Sequence, residues 1–380
     1  MRVKQIINRK PTDLTATLGT LKNSAADLLL VFGSVEHFTS TSLFQSLHNT
    51  FPGALLLGCS TAGEITADSV NDGSCTITAI EFDQTRLSQG STRLTGMDDS
   101  FAAGERLGKQ IAAADLKAVL VFGPGIQING SALVNGITSI IGTSIPITGG
   151  LAGDGGAFKE TFTIGPDGVA NDRVVAVGLG GDGLRFGHGS FGGWESFGPA
   201  RKVTRSDGNI LHELDGEPAL EIYRRYLGEH AKDLPASGLL FPFAMLGEDH
   251  SAVGLIRTIL GIDEASGSLI LAGEIDPDGY LRLMHASTDK LVNGAESAAE
   301  AAAAMAQGAG ESVAILVSCV GRKLVMGDRV DEEVEAVSEV FGKTGILTGF
   351  YSYGEISPFA PGASCKLHNQ TMTITRLSEA

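Results

Sequence analysis

The sequence predicts an α/β protein of mixed sheets with covering helices, internally repeated β-α-β-β units and two domains. Three observations predict it. Short continuous apolar runs such as LLLVF, Leu28 to Phe32, read as strands covered on both faces. Segments with helical apolar spacing follow them. The pattern then returns at a fixed interval: Phe32-Gly33 and Phe122-Gly123 lie 90 positions apart, and so do Gly63-Glu64 and Gly153-Asp154.

After LLLVF, the segment SLFQSLHNTF carries helix signals, Ala54 to Leu57 is a second strand running into GCSTAGEI, and SCTITAIEF alternates as a half-buried strand does. FAAGERLGKQIAAADL reads as a helix. AVLVF, Ala118 to Phe122, opens the second copy; SALVNGITSII is its helix and IPITGGLAGDG ends its second strand. A third copy, with longer spacing, runs from VAILV, Val313 to Val317, through the helix VDEEVEAVSEVF to ILTGFYSYGEI. A fainter echo is LILAGEI, with Gly273-Glu274. Between the second and third copies, VVAVGLGG, LRFGHGSFGGW and GSLILAGEI are strand-like stretches broken by glycine. EPALEIYRRYLGEH is an amphipathic helix behind a turn at Asp215-Gly216, and AESAAEAAAAMAQGA is an alanine-rich helix. The polar segment RKVTRSDGN places the domain division near residues 200–216.

The 380 residues suit two domains, and a hydrophobic share of 43% provides for a real core. A net charge of −16 argues against nucleic acid and anionic membrane surfaces as partners. No apolar run reaches the roughly 18–20 residues of a membrane span, and MRVKQIINRK has no apolar core of a secretory signal, so the expected location is the cytoplasm. The cysteines Cys59, Cys75, Cys319 and Cys365 form no C-x-x-C pair, which argues against zinc and disulfides.

Each copy ends its second strand in small residues and one acid. Such loops let backbone amides approach a ligand, and in α/β sheets they commonly line crevices. The expected pocket is therefore built from GCSTAGEI, GGLAGDG and GFYSYGEI, with Cys59, Ser60, Thr61, Glu64, Asp154, Tyr351, Tyr353 and Glu355 as candidate ligand-binding residues. The alternative is that these loops are plain strand exits with N-capping acids. In LHNQT, His368 and Asn369 could bond a ligand or tie down a loop. Arg257 lies in an apolar run, where a lone charge is costly, so it needs a partner: a ligand carboxylate, Glu355 or Asp154. Cys59 follows a strand as a nucleophile would, but it is not set between glycines as G-x-S-x-G requires, and no histidine is spaced to act as its base. No catalytic residue is assigned, and the chain is expected not to be an enzyme.

GCSTAGEI, GGLAGDG, DGEPALEIYRRYLG and, above all, GFYSYGEISPF followed by LHNQTMTI resemble the FIST domains, bacterial sensory modules with an N-terminal and a C-terminal part. The likeness runs from about Leu28 to Ile374. It implies an N-terminal extension over residues 1–27, a FIST N-like domain over 28–205 and a FIST C-like domain over 206–380. It also implies an intracellular small-ligand sensor for signal transduction, with amino acids among the ligands proposed for the family. Some stand-alone members are haem-binding nitric oxide sensors of the NosP type, which act on a partner histidine kinase. For haem, His250 in the polar GEDH loop and His188 in a glycine-rich bend are the candidate iron ligands. The alternatives are a haem-free receptor for an amino acid or other small carboxylate paired with Arg257, and a hydrolase or acyltransferase using Cys59.

Overall fold

In the computed structural model, three apolar strands, Leu28–Gly33, Leu116–Gly123 and Ser312–Cys319, each occupy the interior of a separate six-stranded sheet. Residues 1–21, 25–67, 69–306, 308, 310–342 and 345–380 are described. The continuous apolar runs have a direct physical cause. Successive side chains on a strand point to opposite faces, and here both faces are covered. Leu28, Leu30 and Phe32 point into a core shared by all three sheets, whereas Leu29 and Val31 point outward beneath helices. Ala118, Leu120 and Phe122 alternate with Val119 and Val121 in the same way, as do Val313, Ile315 and Val317 with Ala314 and Leu316. At the centre of the shared core, the rings of Phe32, Phe122 and Phe350 meet pairwise at 4.9–5.6 Å between centroids.

Each sheet is built on one plan: strand, helix, strand, helix, strand, hairpin, strand. The first unit begins with Arg2–Asn8 and Leu14–Leu18, so residues of the segment read as an extension supply its first strand and helix. The second begins with Arg86–Arg93 and Ser100–Ile111, the third with Leu184–Phe191 and, after an insertion, Thr288–Met305. The alanine-rich helix expected to reach Ala309 ends within the described residues at Met305; Gln307 and Ala309 lie outside them. Across each sheet the strand order is first, last, second, third, and only the second and third run parallel.

The hairpins do not stay at home. Glu64–Thr66 and Ser69–Asn71, from the first unit, extend the sheet of the third by pairing with Gly345–Ser352. Thr163–Gly165 and Gly168–Ala170, from the second, extend the first along Leu55–Ser60. Gly354–Pro358 and Cys365–His368, from the third, extend the second along Ile147–Leu151. The exchange is cyclic: each sheet lends a hairpin to one of the others and borrows one from the remaining sheet.

One glycine per unit permits the close parallel pairing. A Cβ on Gly58, Gly149 or Gly349 would stand 1.8–1.9 Å from the carbonyl oxygen of Val31, Val121 or Leu316, its partner on the neighbouring strand. These equivalent glycines define the true register of the repeat. Gly58 and Gly149 are 91 positions apart, one more than the interval between Phe32 and Phe122.

The insertion spans Glu195–Asp207 through Tyr280–His285 and forms an eight-stranded antiparallel sheet with its own core. Its helix, Ala219–Leu227, buries Leu220, Ile222, Tyr223 and Leu227 on one face, as its spacing predicts. The turn before it has Asp215 and Gly216 in the left-handed region (φ 50° and 81°). LILAGEI belongs to this lobe and is not a fourth unit. No described helix is long and apolar enough to cross a membrane.

Candidate functional site

The three glycine-and-acid strand exits converge, but on each other. Gly153 N donates to Ser60 O (2.9 Å) and Ser60 Oγ to Gly153 O (2.7 Å). Ala62 N donates to Tyr351 O and Tyr351 N to Gly63 O (2.8 Å each), and Tyr353 N donates to Leu151 O (3.2 Å). A Cβ on Gly153 would lie 2.6 Å from Ala62 N, so the exits leave no hollow between them. They plug the end of the shared core.

In the first and third units, the acid locks this plug. Glu64 accepts from Thr61 Oγ1 through one carboxylate oxygen and from Ser74 N and Oγ (2.8 and 2.7 Å) through the other. Glu355 repeats the clasp, accepting from Ser352 Oγ (2.6 Å) and from Thr371 N and Oγ1 (3.2 and 3.0 Å). Burial raises both carboxyls, Glu355 to about 8, against the downward pull of those hydrogen bonds and, for Glu355, of the Arg322 charge. The second unit lacks the clasp. By the register of the paired glycines, Ala152 and Gly155 occupy the places of Thr61 and Glu64, and Asp154 is one residue out of step. Its exit instead runs on as a loop before the hairpin at Thr163.

Asp154 organises that loop. Its carboxylate accepts from the amides of Phe158, Lys159 and Glu160 (2.8, 2.7 and 3.0 Å) and from the Tyr353 hydroxyl. Burial alone would raise this carboxyl, but the Tyr353 and backbone hydrogen bonds hold it below its ordinary value. The Tyr353 hydroxyl in turn accepts from the amides of Gly156 and Asp154 (3.0 and 3.3 Å).

This exit forms one wall of a cleft whose other wall is the inserted lobe. The cleft has two adjoining hollows that share Glu274 and Leu367. The larger, 520 Å³, lies beside Tyr353, Phe158, Asn129 and Leu260. The smaller, 220 Å³, lies beside Arg257, Lys366, Asp276 and Asn135. Asn129 caps the helix Gly130–Ile141 through its Oδ1, and its Nδ2 donates across the cleft to Glu274 Oε1 (3.0 Å).

Arg257 is paired with neither Glu355 nor Asp154. Both carboxylates are engaged by their own loops instead. Its Nε donates to Glu274 O (3.0 Å) and its Nη1 to Ile256 O (3.2 Å), with the Glu274 carboxylate supplying the nearby negative charge. Burial lowers its pKa to about 10, which leaves it charged at neutral pH. The residue is 3% exposed, and its Nη2 donates to no described residue.

The other candidates lie inside the fold. The Cys59 thiol is sealed in the shared core and pushed well above its ordinary value by burial, the reverse of what a nucleophile needs. Tyr351 is buried and donates to Glu333. His368 donates from Nε2 to Ser357 O (2.9 Å) and is lowered by burial to about 4; Asn369 is buried beside it in sequence, with its Oδ1 unpartnered. His188 is buried in its strand and lowered by burial, and His250 stands in an exposed turn (φ 63°) against Tyr280. Neither borders a hollow described above, so these two histidines do not fit a haem iron, which needs an apolar slot and a reachable imidazole. Among the described residues, no cluster of three or more His, Cys, Asp or Glu is arranged to hold a metal. Sequence reasoning passed over Asn129 and Phe158. For Glu274, the LILAGEI echo was a usable signal.

Fold and cleft together define an α/β module of threefold internal repeat with an inserted lobe and a cleft where the two meet. The chain matches the FIST N domain over residues 27–217 and the FIST C domain over 219–358, and it belongs to the FIST family, whose domains are associated with sensing in signal transduction. An uncharacterized protein of Methanocaldococcus jannaschii is 27% identical over 225 residues, which is 55% of this chain and 42% of that protein, so the chain spans less than half of this relative. Among solved structures, a cyanuric acid hydrolase from A. caulinodans covers 100% of this chain, with 98% of its own length matched, at 10% identity and a TM-score of 0.38. PurLQS from Thermotoga maritima matches with 72% of its own length at 8% identity and a TM-score of 0.20. Likenesses at this level bear on no chemistry.

Proposed function

We propose that the chain is a non-catalytic receptor in signal transduction, and that its ligand is a small carboxylate held in the cleft by Arg257. The observation that carries this reading is a guanidinium almost wholly removed from water, with one terminal nitrogen left without a partner among the described residues at the wall of a 220 Å³ hollow. A carboxylate there gains a charge-assisted bond without the cost of desolvating a new cation. Glu274 and Asp276 border the same hollow and suit an ammonium group, so an amino acid meets both charges. Because the walls belong to different lobes, a ligand that prefers one lobe spacing would shift their equilibrium, which a partner such as a histidine kinase could read.

Calorimetry and thermal shift against amino acids and simple carboxylates test this. We expect a binder whose affinity falls at least tenfold in Arg257→Ala. No stabilisation by any carboxylate, or affinity indifferent to that substitution, overturns it.

A haem-based nitric oxide sensor is the second reading, and one observation favours it. His285 borders an apolar hollow of 370 Å³ together with Phe197, Leu240 and Phe241. Bound there, haem would supply the open iron position for a diatomic gas, and His285 would be its protein ligand. The expected result on adding haem is a Soret band that changes in His285→Ala; absence of any band removes this reading.

A further inference from the structure

We infer that the 520 Å³ hollow is a slot for a flat aromatic ring, so that the receptor's ligand class is aromatic carboxylates. This rests on the reading of the cleft as the ligand site, but it stands on different residues from those that hold the carboxylate.

Phe158 and Tyr353 stack with centroids 4.1 Å apart and ring planes 12° from parallel. The inner ring, Tyr353, is fixed on one side by Gly125, where a Cβ would come within 2.7 Å of it, and at its hydroxyl by Asp154. The outer ring, Phe158, is 45% exposed and lies in the left-handed region (φ 52°), an uncommon and costly backbone state for a bulky residue. Folding alone gains little by holding a phenyl ring half in water in that conformation. The surrounding loop nonetheless enforces it through the Asp154 carboxylate, which takes the Phe158 amide. The outcome is a rigid aromatic face turned to the cleft.

Two further large apolar side chains, Leu260 (49% exposed) and Met97 (55% exposed), border the same hollow, and Leu260 comes from the inserted lobe. A ring entering between Phe158 and Leu260 would cover exposed apolar surface from both lobes and extend the existing stack in the offset geometry aromatic faces favour. The Glu274 carboxylate, bordering the same hollow, favours a ring or chain that also carries an N–H donor.

The test uses three probes with the intact chain: indole, a ring without a carboxylate; hexanoate, a carboxylate without a ring; and 3-phenylpropionate, which has both. Calorimetry or ligand-observed NMR reads each against wild type, Phe158→Ala, Phe158→Tyr, Leu260→Ser and Arg257→Ala. Phe158 and Leu260 are exposed enough that their replacement spares the fold. We expect indole and 3-phenylpropionate to bind and to weaken about tenfold in Phe158→Ala, with Phe158→Tyr restoring them and hexanoate unmoved. Failure of indole to bind, or ring probes indifferent to both Phe158→Ala and Leu260→Ser, overturns the slot. If the ring probes depend on Phe158 while neither acid depends on Arg257, the slot stands and the carboxylate reading falls.

Discussion

Glu333→Ala is expected to destabilise the protein by about 3–5 kcal/mol, because it strands a cation in the core. Arg322 and Glu333 are both fully buried and bonded at 2.6 Å. Glu333 also accepts from Ser318 Oγ (3.0 Å) and from the Tyr351 hydroxyl, and Arg322 also donates to the carbonyls of Leu291 (2.9 Å) and Gly192. The guanidinium therefore ties together the start of the long helix, the entrance to the inserted lobe and the third unit's sheet. Removing the carboxylate leaves it uncompensated, whereas replacing the pair by apolar residues of similar volume costs far less. Urea unfolding of Glu333→Ala, Arg322→Met and Arg322→Met with Glu333→Leu measures this. The double variant should be the more stable of those carrying Arg322→Met; equal loss in all three would show that the network contributes only through its packing.

The second large effect is on pH. Glu355, held protonated to about 8 in the fold against an ordinary 4.5, keeps a proton that the unfolded chain has lost. Its stabilisation is complete below the unfolded value and disappears as the pH rises through the folded one. His368 works in the opposite sense. Lowered to about 4 from 6.5, it costs stability as pH falls through that window and is silent above it. Between pH 6.5 and 8, Glu355 thus acts without opposition from the buried histidine and should remove about 2 kcal/mol, at roughly 1.4 kcal/mol per pH unit. Glu64, raised by the same burial, slopes the same way. Urea midpoints across this range should fall with rising pH, and Glu355→Gln, which keeps the neutral shape, should flatten that fall by about the stated amount. An unchanged slope in the variant would place the proton elsewhere.

What could be read from the sequence follows from what is local. Leu28 to Phe32, Ala118 to Phe122 and Val313 to Val317 announce strands buried on both faces because successive side chains point to opposite sides and each side meets a core, so the apolar run is unbroken. The helix over Ala219–Leu227 shows its face for the same kind of reason. Arg2–Asn8 shows no such run, since it mixes polar residues with Val3, Ile6 and Ile7 and only Val3 and Asn8 are buried, and pairing with Cys75–Glu81 reveals its place. The hairpin exchange joins residues hundreds of positions apart, such as Glu64 with Phe350, and leaves no periodic trace. At the site, the gap-free 90-residue interval set Asp154 beside Glu64. The one-residue shift between Gly58 and Gly149 undoes that match and explains why Asp154 serves a loop while Glu64 serves a clasp. Arg257 was legible as a buried charge in want of a partner. That Glu274 would supply both its carbonyl and its carboxylate depends on the insertion's fold.

The cyclic loan of hairpins has a consequence for how such a chain arises and how it fails. A unit made by itself would carry one bare sheet edge, beside its third strand, and one orphan hairpin, each the complement of the other. Copies of it could close only in a ring or grow into an open chain of mutual donors. Covalent linkage in a single polypeptide supplies all three donors at once and ends that growth, so the tandem arrangement is itself a safeguard against polymerisation.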